Sequence, residues 1–325
     1  MRVSGRRRSV WQNRRPPPYF QFLSSRPESG WIGPACALLG ALGFSGKAIF
    51  AKLAYAAGPL DSVTLLALRM LFSLPFFGVM LWLSRRDREQ RVLTRSDWIA
   101  IVWLGFLGYY LASFLDFWGL EYITAGLERL ILFLNPTIVV MLSAWLLKQR
   151  VTRRTVAALA LTYAGIVLVF AHDFALATDV VALLTGGGLV FASAVAYALY
   201  LVGNGEIIGR IGAMRFTAYA MLASAGFVLV QFALTRPLSA LDQPTTVYWM
   251  IAGIALFSTA LPIWLTNEGI RRIGSGRVAM IGTSGPVLTI GMGVIFLDER
   301  VTAVQLAGAS LVIAGVVLVT FARRR

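Results

Sequence analysis

Ten apolar runs, each of about 20 residues or more, take up most of this chain: 31–56, 63–84, 97–119, 122–147, 154–171, 183–204, 214–235, 246–268, 274–297 and 303–322. No motif constrains the fold as much as these runs do. A helix needs about 20 apolar residues to cross a bilayer core. Backbone groups in lipid must be satisfied within the segment or by a closed barrel. A membrane β-barrel would show alternating segments of about ten residues, and these runs are twice that long and do not alternate. The pattern predicts an all-α integral membrane protein with ten transmembrane helices. Only 14% of the residues are charged, against about 25% in soluble domains, so most of the surface must face lipid.

The net charge of +15 would suggest nucleic acid on a soluble protein. Here the basic residues cluster at the ends of apolar runs, where topology explains them, and no nucleic-acid partner is expected. With the N-terminus in the cytoplasm, 24 Lys and Arg fall inside and only Arg236 and Arg300 outside, leaving Lys47, Lys52, Arg69 and Arg129 within spans. The split predicts N-in and C-in topology in a bacterial inner (plasma) membrane. Residues 1–30 are basic and rich in Pro and Ser, with no apolar stretch after the Arg cluster. They read as a disordered cytoplasmic tail and not as a signal peptide. One cysteine, Cys36, and one histidine, His172, exclude a disulfide framework within the chain and a Cys/His metal cluster. His172 is expected in a solvated outer loop.

The two halves match at an offset of 150. Residues 134–169 align without gaps to 284–319, with Pro136/Pro286, Arg150/Arg300, Val151/Val301, Thr152/Thr302, Ala164/Ala314 and Gly165/Gly315 among the identities. Each half, 31–171 and 183–322, holds five spans. Five is odd, so the second copy enters the membrane upside down. Two inverted five-helix repeats with Pro at matching positions are a transporter pattern, with a site near the repeat interface.

The Pro-bearing span, the polar turn with Arg-Val-Thr and the last span with Ala-Gly, repeated in both halves, resemble the EamA family of the drug/metabolite transporter superfamily. Asp298-Glu299-Arg300 matches that family's acidic turn, whereas Lys148-Gln149-Arg150 departs from it. The resemblance covers residues 31–322. It implies a ten-helix basket, alternating access and transport of small metabolites, often export, with a cavity lined mainly by spans 1, 3, 4, 6, 8 and 9.

Charges inside spans are the first candidates for function. A charge at bilayer depth costs about 2.5–3.5 kcal/mol on insertion scales and usually faces protein or a water-filled cavity. Lys47, Arg69, Asp116, Glu128 and Arg129 fall in the outer half of the first repeat; Lys52 and Glu121 lie nearer the surface, as snorkelling groups. Two readings stand. One is a polar pocket or outer gate with a proton-exchanging carboxylate, Asp116 or Glu128. The other is a set of fixed ion pairs pinning spans 1 to 4, the stronger reading for Arg69.

Helical spacing extends the candidate pathway. Tyr109, Ser113 and Asp116 lie at i, i+4, i+7, and Glu128 and Asn135 are seven apart. Ser193, Tyr197, Tyr200 and Asn204 form a stripe on span 6, with Tyr197 the repeat mate of Lys47. Trp264 and Asn267 on span 8 and Ser284 on span 9 complete the set, and Pro136, Pro262 and Pro286 are expected to kink their helices. Such stripes are also common in plain packing. Gly40, Gly43 and Gly46 suit close helix contact on span 1.

Gly43-Phe-Ser-Gly46-Lys47-Ala48 looks like a phosphate loop but lacks the Ser/Thr after Lys and lies inside an apolar run. No ATP site, metal or cofactor is expected, and no catalytic set has helix-compatible spacing, so the chain reads as a non-enzyme. The expected function is secondary transport of a small organic metabolite, zwitterionic or anionic as an amino acid is, by alternating access and with proton coupling. The competing reading is a non-transport membrane receptor or assembly partner.

Overall fold

The computed structural model describes residues 31–84, 92–146, 152–176, 178–273, 278 and 281–322. The tail at 1–30 and the basic stretches at 85–91 and 147–151 lie outside the described residues, and so do the side chains of Trp264 and Asn267. Among the described residues every regular element is a helix, consistent with a multi-pass membrane protein.

The helices are α1 (Ile32–Ala57), α2 (Ser62–Ser84), α3 (Arg95–Gly105), α4 (Ala112–Leu120), α5 (Ala125–Leu132), α6 (Asn135–Leu146), α7 (Arg153–Leu176), α8 (Val180–Ile211), α9 (Ala213–Thr235), α10 (Thr245–Ala255), α11 (Leu261–Ile273), α12 (Gly285–Leu297) and α13 (Ala303–Ala322). Local chemistry sets several of their ends. Thr94 and Asp97 form a reciprocal capping box at the start of α3. Asp179 accepts Ala182 N–H at 2.9 Å at the start of α8. Gly212, at φ +85°, ends α8 in a conformation that favours glycine.

Among the described residues eight helical stretches are long and apolar enough to cross a membrane, the last of them Thr245–Ile263; Gly285–Leu297 and Ala303–Leu318 are shorter apolar helices. Residues 274–277 and 279–280 of the ninth run lie outside the described residues; Ile281 and Gly282 are helical, Thr283 and Ser284 form a turn, and a helix starts again at Gly285, with Pro286 in its first turn. The fourth run is broken in the same way. Phe133 and Leu134 form a turn between α5 and α6, because Pro136 has no N–H to offer the carbonyl of Leu132.

Several features recur 150 residues apart. π-helical turns join α3 to α4 at Phe106–Leu111 and α10 to α11 at Leu256–Ala260. The breaks at 133–134 and 283–284 are a second such pair. Contacts recur too. Gly43 on α1 packs on Pro262 of α11, while Ser193 on α8 donates to Ala112 O of α4 at 2.7 Å. A Cβ on Gly165 of α7 would stand 2.6 Å from Gly308 O of α13, and one on Gly315 would stand 2.7 Å from Ala158 O.

The burial pattern is that of a molecule dissolved in lipid. Trp82, Trp103, Trp145, Val230, Leu234 and Ile295 are exposed, whereas Arg69, Asp116, Glu128, Thr162, Ser224 and Thr289 are buried. His172 lies on α7, which runs on to Leu176, and not in a loop as the sequence predicts. Its Nδ1 is 3.2 Å from Asp173 Oδ1.

Candidate functional site

The site is built around Lys47, midway along α1. Its ammonium forms an ion pair with Asp116 of α4 and lies 3.0 Å from Glu128 Oε1 of α5. Both carboxylates are buried, and 18% of the lysine side chain is exposed. Glu128 Oε2 and Asp116 Oδ1 are buried with no hydrogen-bond partner. One ammonium therefore serves two carboxylates from two other helices. Removing a buried charge from water costs several kcal/mol, which only good pairing offsets.

Two guanidinium groups flank this triad. Arg69 of α2 is buried; its Nη1 donates to Ser113 Oγ at 3.4 Å and its guanidinium carbon lies 5.3 Å from the Phe117 ring centroid. Lys47 Nζ lies 5.6 Å from the same ring. Arg129 follows Glu128 on α5. One residue is about 100° around a helix, so Arg129 leaves the lysine and lies over Phe133, 5.6 Å from its centroid, and against Gly285. Ser45 of α1 donates to Gly285 O at 3.2 Å, so α12 closes this side. The cluster thus holds three cations and two carboxylates.

The tyrosines form a separate group. Tyr109 and Tyr200 hydroxyls are 2.7 Å apart, with ring centroids at 5.0 Å. Tyr197 lies 5.4 Å from Tyr200. Tyr109, Ser113 and Asp116 meet three different helices: α8 through Tyr200, α2 through Arg69 and α1 through Lys47. The π-turn spanning Tyr109 widens the helix there, so the regular i, i+4 register does not carry through it.

Asn135 begins α6, and its Oδ1 is buried without a partner. Ser284 donates to Ile281 O at 2.7 Å, a local bond within its turn. Pro262 is the second residue of α11, just after the π-turn, and packs on Gly43. Trp264 and Asn267 lie on α11, where the described structure stops at the backbone. Glu121, read from sequence as a snorkelling group, accepts Ser62 N–H at 2.7 Å and so holds the start of α2. Partial burial pushes its carboxyl above the usual range, and the Ser62 N–H offsets part of that.

Sequence reading missed the contacts of four residues. Ser45 is one more small residue in an apolar run, and nothing in the sequence marks it. Asp61 and Arg236 pair across two loops, far apart in the chain. Glu299 was read only as part of a turn, yet it accepts backbone N–H groups of α5. A cavity of about 70 Å³, room for about two waters, lies beside it and is lined by Thr124, Leu130, Ile290, Glu299 and Gln305 among others. The charged triad does not line that cavity.

Comparison with known proteins supplies the family. The EamA-like transporter family matches residues 31–171 and again 184–321. A Bacillus subtilis protein named as the uncharacterized transporter YcbK is 30% identical over 281 residues, covering 83% of this chain and 87% of that protein. A probable terminal-alkyne amino-acid exporter of Streptantibioticus cattleyicolor is 26% identical over 218 residues, covering 64% and 69%. A solved crystal structure superposes with a TM-score of 0.62 at 17% identity over 90% of this chain and 97% of that one, which shows a shared fold.

Proposed function

Because this chain belongs to the EamA-like transporter family of the drug/metabolite transporter superfamily, we propose that it moves a small, amino-acid-like metabolite across a bacterial inner membrane by alternating access. The observation that carries the reading is Lys47, which holds buried carboxylates from two other helices. Charges at that depth usually mark a pathway. The family and its relatives' names indicate a transporter and not an enzyme.

The architecture of the proposal is two inverted five-helix halves with ten membrane passages. Features that recur at an offset of 150 support it: the π-turns, the breaks before Pro136 and Pro286, and the two-way contacts of Gly165 with Gly308 and Gly315 with Ala158. The excess of Lys and Arg on one set of loops supports N-in and C-in topology. The Streptantibioticus relative, named for amino-acid export, supports an amino-acid-like cargo and outward transport.

Proton coupling is part of the proposal. Two carboxylates share one ammonium, so a proton can replace Lys47 as the counter-ion of either. The test is reconstitution into vesicles with an imposed pH gradient and a library of amino acids and related metabolites. The wild type is expected to concentrate its cargo, and Asp116→Asn or Glu128→Gln to lose the response to pH. If both variants still follow the gradient, the coupling is wrong. If the wild type moves nothing in the library, the cargo class is wrong.

A further inference from the structure

We propose that Arg129 is the specificity-determining anchor of the transport site and receives a carboxylate of the cargo. The inference rests on the transporter reading above and deepens it. Among the described residues no carboxylate forms an ion pair with Arg129, and its Nε is buried without an acceptor. Arg69 is alike: its contacts are Ser113 and the Phe117 ring. Lys47 is already engaged with Asp116 and Glu128. The cluster is therefore one negative charge short. An unpaired cation away from water is costly, and an arriving anion removes that cost.

Arg129 is built to receive such a group. Its guanidinium lies over the Phe133 ring, which limits its orientation. Position 285 is Gly, and a Cβ there would stand 2.9 Å from Arg129 Nη2 and 3.4 Å from Nε. A side chain there would press on the guanidinium and displace it. The planar fork of a guanidinium matches a carboxylate with two parallel hydrogen bonds. The second half has Ala279 at the corresponding position, so the anchor belongs to the first half alone.

The test uses the purified full-length protein in detergent. Thermal stability is followed against the common amino acids and a set of short monocarboxylates, each beside its primary amide. Acids are expected to raise the melting temperature and their amides to leave it unchanged. Arg129→Gln is expected to weaken apparent acid binding by at least about tenfold, the scale of a lost charge-assisted hydrogen bond. Arg129→Lys keeps the charge without the fork and is expected to fall between. Without any acid, Arg129→Gln is expected to melt no lower than the wild type, because Lys47 still pairs with both carboxylates. An amide that stabilises as well as its acid, a panel in which no acid acts, or a probe-free Arg129→Gln that melts lower would each overturn the proposal. Failure of the transport reading looks different: acids bind, yet none crosses a vesicle membrane.

Discussion

Glu299 Oε1 accepts the backbone N–H of Ala125 at 2.9 Å, joining residues 174 apart in the chain. Its second oxygen lies 3.4 Å from Gly126 N. The first N–H groups of a helix have no partner within it, and Thr124 takes only that of Leu127, at 3.2 Å. Glu299 is itself aimed by its turn: Asp298 has φ +53°, and Glu299 N–H returns to Gly293 O at 3.1 Å. The turn after α12 thus holds the start of α5, the helix that carries Glu128 and Arg129.

Glu299→Ala should therefore destabilise the protein by about 1–2 kcal/mol, the range for losing a helix N-cap. Glu299→Gln keeps an oxygen for Ala125 N–H and should lose less than half of that. Reversible unfolding of both variants in mixed detergent micelles checks the order.

Lys47→Met should be more damaging than any single change at its partners. It leaves Asp116 and Glu128 buried beside one another without their shared ammonium. Stranding a buried charge costs about 3–5 kcal/mol. Lys47→Met combined with Asp116→Asn and Glu128→Gln should recover much of the loss, since no charge of the triad remains. A triple variant that melts below Lys47→Met would count against the pairing.

Two carboxylates outside the spans should give opposite pH dependence. Burial pushes Asp61 up, but the bonds from Thr64, with its N–H at 2.9 Å, and the Arg236 guanidinium outweigh it and hold the carboxyl below its usual range. Its folded pKa is depressed, so its contribution is present above the unfolded value and lost as pH falls through the folded one. Glu121 is raised, so stability falls as pH rises from the ordinary carboxyl range. Asp61→Asn should flatten the acid limb below about pH 4. Glu121→Gln should melt no lower than the wild type at pH 7 and lose any advantage in acid. Melting temperatures from pH 3 to 7 separate the two.

The spans were legible because lipid imposes a length and an apolarity that composition reveals directly. The charged candidates were legible for the same reason: Lys47, Asp116, Glu128 and Arg129 stand out only against an apolar background. Their partners were not. The π-turn at Phe106–Leu111 was not legible either, because sequence periodicity assumes a regular helix. The helix breaks were partly legible from Pro136 and Pro286. Glu299 was hidden because its partners are backbone N–H groups, which every residue but proline carries. Ser45 was hidden because its acceptor, Gly285 O, is likewise main chain.

The crossing of α7 and α13 gives the most direct test of the inverted repeat. On one side a Cβ at Gly165 meets Gly308 O at 2.6 Å and Leu311 Cβ at 2.9 Å. On the other a Cβ at Gly315 meets Ala158 O at 2.7 Å and Thr162 N at 2.8 Å. Backbone carbonyls cannot move aside as a flexible side chain can, so either methyl must push the helices apart. Overpacking of this kind costs about 1–3 kcal/mol, and small residues at such crossings are what allows close approach in lipid. Gly165→Ala and Gly315→Ala should destabilise by similar amounts, because they are repeat mates in equivalent contacts. Gly226→Ala is the control, since a Cβ there meets nothing within 4 Å, and it should be neutral or slightly stabilising. Because Gly165 and Gly315 crowd one interface, the double Ala variant should cost less than the sum of the two singles: helices already separated at one point leave room at the other. Additive losses would mean the two contacts are independent, and the paired crossing would then not act as one symmetric unit.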